Sequence, residues 1–453
     1  MKQKIKIQSV FKYLFLFCYF FYCLVLAYNL TRGDSYVNFG FSYAITRGEV
    51  PYVDFNLVIP PLAPWLYSIF LFLNSSILVF YLEQALLLTL FFFILFRLLG
   101  NKTWIYLILL SIPFPIAMVS VMFPGYNFLL LFFLLLLIYC ERTNKNDYLI
   151  GILLGCSFLT KQTVGGLLVL ASIYYLFVDY KKVLKRVVGF LLPVFICFII
   201  LVLQGSFSSF LDLCFFGLFD FGHSNLYIEW FYFLCFVLAM IVLIVRIVRK
   251  PKDVCNYYVL VFASCIYPII DYYHVSLFLA AFFILILLDG NIKRSIYKQC
   301  IFFSLVLSII WFVIQNMYFG DLKIIHYPNF QFSLLSERYR KVVDELDRYV
   351  ETLDDDVIYF LRGSENYFYK IKSNSDITYF DLPNYGNYGY DGTLKIISRL
   401  KSVANGYFVI DKEAYEMPSP PQQYLKEAVD YIMTSGVKVK TIGVYEIYYL
   451  SKE

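Results

Sequence analysis

Two carboxylates follow the first long apolar run, where a reaction at a membrane surface would need a base. Asp34 comes directly after that run in Arg-Gly-Asp-Ser-Tyr, and Asp54 stands in Tyr-Val-Asp-Phe-Asn ahead of a Pro-Pro pair. On short segments held by flanking helices, they would form a preorganised general base or a cation site. The structural alternative is that Asp34 caps the next helix and Asp54 lies in a turn.

A single lysine stands between two apolar runs with almost no loop, in Phe-Leu-Thr-Lys-Gln-Thr-Val-Gly-Gly. This residue, Lys161, lies on the side of the membrane that the charge distribution disfavours for cations. Ionisable groups at membrane depth usually face a cavity or a partner, and a lipid phosphate is a natural partner for an ammonium. The alternative is a side chain that extends to the nearest interface.

Two further sites carry ionisable groups at or within apolar segments. Asp271 and His274 are three residues apart and share one face of a helix, so they suit a polar substrate, a phosphate or a metal, or else a structural cap. Glu83 lies inside the second predicted span, and we expect it to face the protein interior. There is no metal-binding Cys/His spacing, and no HExxH or Ser/His/Asp elbow.

The composition is that of a membrane protein. Hydrophobic residues make up 60% of the 453 positions and aromatic residues 21%, and the mean hydropathy is +0.68. One soluble core cannot hide that much apolar surface, so lipid must be the solvent for most of it. No basic stripe suited to a nucleic acid occurs.

The apolar runs predict a polytopic α-helical membrane protein with about eleven spans by the length criterion. The spans are expected near 11–30, 77–99, 103–121, 125–140, 147–161, 164–179, 187–204, 227–248, 255–270, 274–289 and 300–318. Between the first two spans, residues 35–46 and 61–73 predict helices that lie along the interface. Residues 205–225 are expected to form a second outer element.

The charge distribution predicts the orientation. With the N-terminus inside, the cytoplasmic segments hold 19 Lys and Arg residues, and the outer segments before the tail hold three, Arg32, Arg47 and Lys161. This positive-inside bias predicts a multi-pass chain with a cytoplasmic N-terminus. We expect the membrane to be the plasma membrane. An odd number of spans then places the C-terminal part outside.

The chain divides by composition into a transmembrane domain, 1–319, and a soluble extracytoplasmic domain, 320–453. The tail has 16 Lys and Arg against 20 Asp and Glu and alternates helical and strand-like runs. We therefore expect a small α/β domain with a mixed sheet. Helices are expected at 336–353, 392–403 and 422–435, and strands at 357–361, 377–380, 407–410 and 437–449. No phosphate-loop or dinucleotide fingerprint occurs.

Several of these segments together resemble a known superfamily. They are the outer-loop Asp34, Ala-Ile-Thr-Arg-Gly-Glu-Val-Pro-Tyr-Val-Asp-Phe, Pro-Pro-Leu-Ala-Pro-Trp, Lys-Gln-Thr at a helix end and Asp-x-x-His at an outer end. The chain resembles the GT-C superfamily of membrane glycosyltransferases, in the branch of the protein O-mannosyltransferases and the aminoarabinose lipid A transferase. Many relatives carry Asp-Glu where this chain has Asp34-Ser35.

The resemblance implies an inverting glycosyltransferase that uses a polyprenyl-phosphate sugar donor and an exported acceptor, such as a cell-envelope glycan, lipid or protein. Asp34, with Asp54 sharing the role, would be the catalytic base. The expected phosphate-binding residues are Lys161, Arg47 and His274, and the expected substrate-binding residues are Asp271, Tyr52 and Glu49. No cofactor is identified, and a divalent metal remains open. The main alternative is a transporter or flippase of a lipid-linked saccharide, which would place polar residues near the midplane and often shows internal repeats.

Overall fold

The computed structural model describes residues 2–30, 34–74, 76–99, 125–172, 179–218, 226–288, 323–327, 330–334, 337–355, 357–361, 380–381, 397–398, 400–402, 405–416 and 423–451. Helices predominate, and a five-stranded sheet forms in the C-terminal region. The chain folds into two compact units. The first comprises 1–35, 73–196 and 228–320, and the second comprises 36–72, 197–227 and 321–453. The predicted domain boundary at 319/320 stays a prediction.

Twelve helices are described before the C-terminal region. They are α1 Lys2–Leu30, α2 Asp34–Thr46, α3 Leu62–Leu71, α4 Ile77–Leu99, α5 Tyr126–Arg142, α6 Asp147–Phe158, α7 Gln162–Ser172, α8 Tyr180–Leu203, α9 Phe207–Leu211, α10 Trp230–Arg249, α11 Val254–Val261 and α12 Tyr272–Leu287. Nine of the eleven predicted spans overlap these helices. The other two, 103–121 and 300–318, lie outside the described residues.

Three of the described helices are long and apolar enough to cross a membrane: Leu78–Leu98, Tyr180–Leu203 and Trp230–Arg249. Other apolar helices, such as α6 and α7, are shorter. The fold is thus mostly helical with three candidate spans, and the count of eleven stays a prediction.

Helix α10 presents an apolar stripe outward. Only 17% of the most apolar 18-residue stretch of this helix is buried inside the protein. The exposed side chains recur every three or four residues, which places them on one face of the helix: Phe231, Leu234, Leu238, Ile241, Val245 and Val248. An outward stripe of this length is the opposite of the pattern on a surface helix of a water-soluble protein.

Glycines bring α6 and α8 together in the first unit. A Cβ atom at Gly151 would lie 2.2 Å from the carbonyl oxygen of Arg186, and one at Gly189 would lie 2.3 Å from that of Tyr148. A Cβ atom at Gly155, four residues after Gly151, would lie 2.6 Å from the ring of Pro193. The small residues let the two backbones approach closely, as they do at helix contacts in membranes.

A buried network of ion pairs and hydrogen bonds joins five helices of the first unit. Arg186 of α8 donates to Glu141 of α5 at 2.8 Å and to Asp147 of α6 at 2.9 Å. Tyr258 of α11 donates its hydroxyl to Glu141 at 2.8 Å and lies 3.2 Å from the hydroxyl of Ser172. The Arg186 side chain is only 3% exposed, so these partners supply the hydrogen bonds that water would otherwise supply.

A second cluster joins the end of α10 to the start of α11. Asp253 caps α11 through the Cys255 N–H and accepts from Arg142 at 2.6 Å and from Arg246 at 3.1 Å. Arg246 also donates to Asn256 at 2.8 Å. Three arginines assigned to the cytoplasmic side by sequence, Arg142, Arg186 and Arg246, are therefore held in ion pairs rather than left on long free side chains.

In the second unit, α2 and α3 confirm the helices predicted between the first two spans. The outer element predicted for 205–225 contains α9 and a π-helical turn, Asp212–Phe216, and residues 219–225 lie outside the described part. Whether α2 and α3 lie along an interface stays a prediction.

The described C-terminal elements alternate strand and helix. Helices α13, α14 and α15 span Glu337–Val350, Lys412–Glu416 and Gln423–Ser435. Two short strands, β1 Tyr227–Ile228 and β2 Ile269–Ile270, come earlier in the chain, and the rest are β3 Lys323–Tyr327, β4 Phe330–Leu334, β5 Val357–Leu361, β6 Phe380–Asp381, β7 Asn405–Asp411, β8 Val437–Ile442 and β9 Tyr445–Ser451. The strand order is β6-β5-β7-β9-β8.

The expected mixed sheet is confirmed, because β5 runs parallel to β6 and β7, whereas β9 is antiparallel to β7 and β8. The single strand expected at 437–449 is wrong, since this segment forms a hairpin. Gly443 supplies its positive φ of 57° at the turn. One face of the sheet packs Phe360 and Phe408 against Val429 and Ile432 of α15.

Candidate functional site

The expected site residues are divided between the two units. Asp34, Lys161, Asp271 and His274 belong to the first unit. Arg47, Glu49, Tyr52 and Asp54 belong to the second. Apart from Asp34, they form three local groups: Lys161, the pair Asp271 and His274, and the segment from Arg47 to Asp54.

Lys161 is held by the first turn of α5. It lies in the short connection between α6 and α7, and its Nζ donates to Asn127 Oδ1 at 3.2 Å. The same Nζ lies 5.5 Å from the centroid of the Tyr126 ring. Among the residues that the structure describes, no carboxylate forms an ion pair with this ammonium. An ammonium carries three donors, so it retains the capacity to bind an anion.

Asn127 and Tyr126 were not identified from the sequence. The available signal was a polar residue, Asn127, in the first turn of an otherwise apolar helix. It indicates a polar neighbour but not which one. The neighbour is 34 residues away in the chain.

Asp271 and His274 form a close pair at the start of α12. Asp271 Oδ1 accepts from the His274 backbone N–H at 2.9 Å and lies 2.7 Å from His274 Nδ1. An ionised carboxylate only accepts, so Nδ1 carries the hydrogen, and Nε2 is the acceptor of a neutral imidazole or the second donor of an imidazolium. The aspartate thus caps the helix and orients the ring through the same oxygen.

The segment from Arg47 to Phe55 forms a hydrogen-bonded turn that is closed by Asp54. Asp54 Oδ2 accepts from the Val50 N–H at 2.6 Å, while the Asp54 N–H donates to Val50 O at 2.9 Å. Phe55 is buried and stacks on Phe41, with ring centroids 5.6 Å apart. Asp54 therefore lies in a turn, which is the structural alternative that the sequence offered for this residue. Its side chain is exposed, and its part as a second base stays a prediction.

The buried side chain of Tyr52 stabilises this turn. Its backbone is left-handed, with φ of 70°, and its hydroxyl donates to Ile59 O at 2.7 Å. Cys214 Sγ lies 3.7 Å from the same hydroxyl, and burial raises the pKa of Tyr52 well above its ordinary value. These contacts engage the hydroxyl inside the second unit. The expected contact of Tyr52 with substrate stays a prediction.

Arg47 and Glu49 are placed by the end of α2. The Glu49 N–H donates to Ala44 O at 3.1 Å, and the Gly48 N–H donates to Ile45 O at 3.0 Å. Gly48 has φ of 88°. This is a Schellman ending, in which a left-handed glycine satisfies the last helical carbonyls. It turns the chain after the exposed Arg47, so that Glu49 begins the next segment.

Asp34 is the first residue of α2, and its side chain lies outside the described part of the structure. The expected role of Asp34 as the catalytic base stays a prediction. The described residues contain no group of three or more His, Cys, Asp or Glu side chains that could hold a metal ion.

No protein-family model and no curated protein matches this chain. The resemblance to GT-C glycosyltransferases rests on the short segments quoted above.

Proposed function

We propose that this protein is a multi-pass plasma-membrane glycosyltransferase of the GT-C type. It transfers a sugar from a polyprenyl-phosphate donor to an exported acceptor at the outer face, with inversion at the anomeric carbon. The C-terminal α/β domain stands outside the membrane, where it binds the acceptor or stabilises the outer face.

The observation that carries the proposal is the setting of Lys161. Its ammonium is positioned by Asn127 and Tyr126 and has no carboxylate partner among the described residues. A positioned cation of this kind suits a phosphate, because a charge-assisted hydrogen bond to an anion is stronger than one between neutral groups. Asp271 and His274 add an oriented imidazole in the same unit.

The apolar surface of the first unit supports a membrane setting. The outward stripe on α10 and the candidate spans of α4 and α8 suit lipid as the solvent. A donor with a polyprenyl chain would then reach the site from within the bilayer.

The proposed reaction needs a base on one side of the anomeric carbon and a cation on the other. The acceptor hydroxyl oxygen forms a bond to the anomeric carbon while the bond from that carbon to the phosphate oxygen breaks. The electron pair leaves with the polyprenyl phosphate, whose charge Lys161 stabilises, and the hydroxyl proton passes to Asp34. Asp54 is the second carboxylate of the same loop.

Substitution of the proposed base tests this function. We expect purified wild-type protein to release polyprenyl phosphate from a panel of polyprenyl-phosphate sugars in the presence of a cell-envelope extract. Asp34→Asn should lower the rate by about 100-fold or more, because general-base catalysis contributes ~10²–10⁴. The matched control is Asp179→Asn, a carboxylate that bonds the Lys181 N–H near the start of α8, and it should keep the wild-type rate.

The same assay separates the enzyme from a flippase. Movement of the intact lipid-linked sugar across a vesicle bilayer without cleavage of the sugar–phosphate bond would support the flippase. A wild-type rate in Asp34→Asn, at equal abundance, would exclude Asp34 as the base.

A further inference from the structure

Two adjacent polar side chains are buried in the candidate span α4. Glu83 is 5% exposed and Gln84 is fully buried. Glu83 Oε2 and both polar atoms of the Gln84 amide have no hydrogen-bond partner among the residues that the structure describes. Glu83 and Gln84 are two buried polar side chains of the first unit that are adjacent in the chain and that the described fold leaves unsatisfied.

Such a pair is costly unless something else binds it. A buried amide or carboxyl group without a hydrogen-bond partner destabilises the folded state, and a charged group does so more strongly. An ionisable residue within a membrane span usually marks a substrate or ion pathway. The helical conformation of α4 does not require a polar residue at either position, since leucines occupy neighbouring positions.

The packing of α1 on α4 shows which end of the helix carries the pair. The Phe15 ring contacts Phe96 at 5.6 Å and the Tyr19 ring contacts Phe92 at 4.9 Å, so the helices are antiparallel. Extending that register places Gln84 level with Ala27, three residues before α1 ends, or about 4.5 Å along the helix axis.

Chain length then limits the distance to Asp34. Asp34 follows Leu30 by four residues, which span at most about 14 Å. Glu83, Gln84 and Asp34 therefore belong to the same end of the α1–α4 pair. In the predicted topology this is the outer end.

We propose that Glu83 and Gln84 bind hydroxyl groups of the sugar carried by the lipid donor. The carboxyl group of Glu83 accepts from one hydroxyl, and the amide of Gln84 both donates and accepts, so the pair suits two neighbouring hydroxyls. This inference rests on the proposed function and adds a sugar-reading site to it. Sugar hydroxyls would supply the partners that the described fold does not.

The test compares lipids with and without the sugar. Full-length protein in lipid nanodiscs is titrated with polyprenyl phosphate and with polyprenyl phosphates bearing glucose, mannose or N-acetylglucosamine. We expect wild type to bind one sugar-bearing lipid more tightly than the bare lipid. Glu83→Met and Gln84→Met should each reduce that preference by about tenfold, the size expected for one such hydrogen bond, and leave the bare lipid unaffected.

Thr89→Val is the control, because the Thr89 hydroxyl bonds its own helix at Ala85 O and should not affect sugar preference. Size-exclusion profiles identify a variant that fails to fold. If one of the two single variants fails to fold, the other still tests the proposal. An unchanged preference in both variants, with transfer intact in wild type, overturns this inference alone. A wild-type protein that binds neither kind of lipid overturns the proposed function itself.

Discussion

Lys161 illustrates how one side chain acquires a role from its neighbours. By sequence it was a cation that could equally extend to the interface, and the structure gives it two protein contacts, to Asn127 and to the Tyr126 ring. Asn127 cannot supply charge, so its contribution is to position the ammonium. The phosphate role of Lys161 and the positioning role of Asn127 can therefore be tested separately.

Lys161→Met should weaken binding of polyprenyl phosphate by about 10- to 100-fold, since a hydrogen bond to a charged group contributes roughly 1.5–3 kcal/mol. Asn127→Leu should weaken it less, and should add little in the Lys161→Met background, because it acts through the lysine. Titration of the purified variants with polyprenyl phosphate measures both effects. Lys145→Met, an exposed lysine after α5, is the control. Additive losses would argue against the positioning role.

At the scale of elements, the close packing of α6 against α8 depends on glycines. The contact between α6 and α8 brings Gly151 against the backbone of Arg186. That contact also places Arg186 beside Asp147, so the packing and the ion-pair network depend on each other.

Gly151→Ala should destabilise the protein by about 1–3 kcal/mol, the usual cost of forcing a methyl group into a packed interior. The new Cβ would lie 2.2 Å from a backbone oxygen, so the helices must separate. Thermal unfolding in detergent measures the loss. Gly166→Ala is the matched control, because its Cβ would lie 3.9 Å from the Phe158 ring, an ordinary contact. Equal melting temperatures for the two variants would contradict this account.

At the scale of the whole molecule, charge asymmetry predicts the orientation in the membrane. Basic residues that the sequence assigns to the cytoplasmic side, such as Arg186 and Arg246, are anchored in the described ion-pair clusters. Such residues would be costly to move across a bilayer.

Reporter fusions test this orientation. Alkaline phosphatase, which is active only outside the cytoplasm, should be active when fused after Glu453 and inactive when fused after Lys250. The reason is that the C-terminal domain is expected outside and the α10–α11 connection inside. The reverse pattern would refute the predicted topology, and equal activity at both junctions would refute the odd number of spans expected between Lys250 and the C-terminal domain.

Much of the fold follows from local sequence. Apolar runs and helical periodicity located α4, α5 and α10 to within a few residues, because the 3.6-residue repeat of a helix is visible in a single segment. The end of α1 was located equally well, but the helix begins nine residues before the predicted start at 11. The strand β5 coincides with its prediction for a similar reason. The hairpin at 437–449 was missed, because its apolar and β-branched residues continue on both sides of a single glycine.

By itself, the amino-acid sequence predicted a mostly helical chain with candidate membrane spans and a C-terminal α/β region, since these depend on local periodicity and composition. Long-range packing established which polar groups find partners: Lys161 with Asn127, Arg186 with Glu141, and Glu83 with none among the described residues. Such pairings join residues tens of positions apart. Only the folded arrangement of the helices brings those side chains within hydrogen-bonding distance, and no local pattern encodes it.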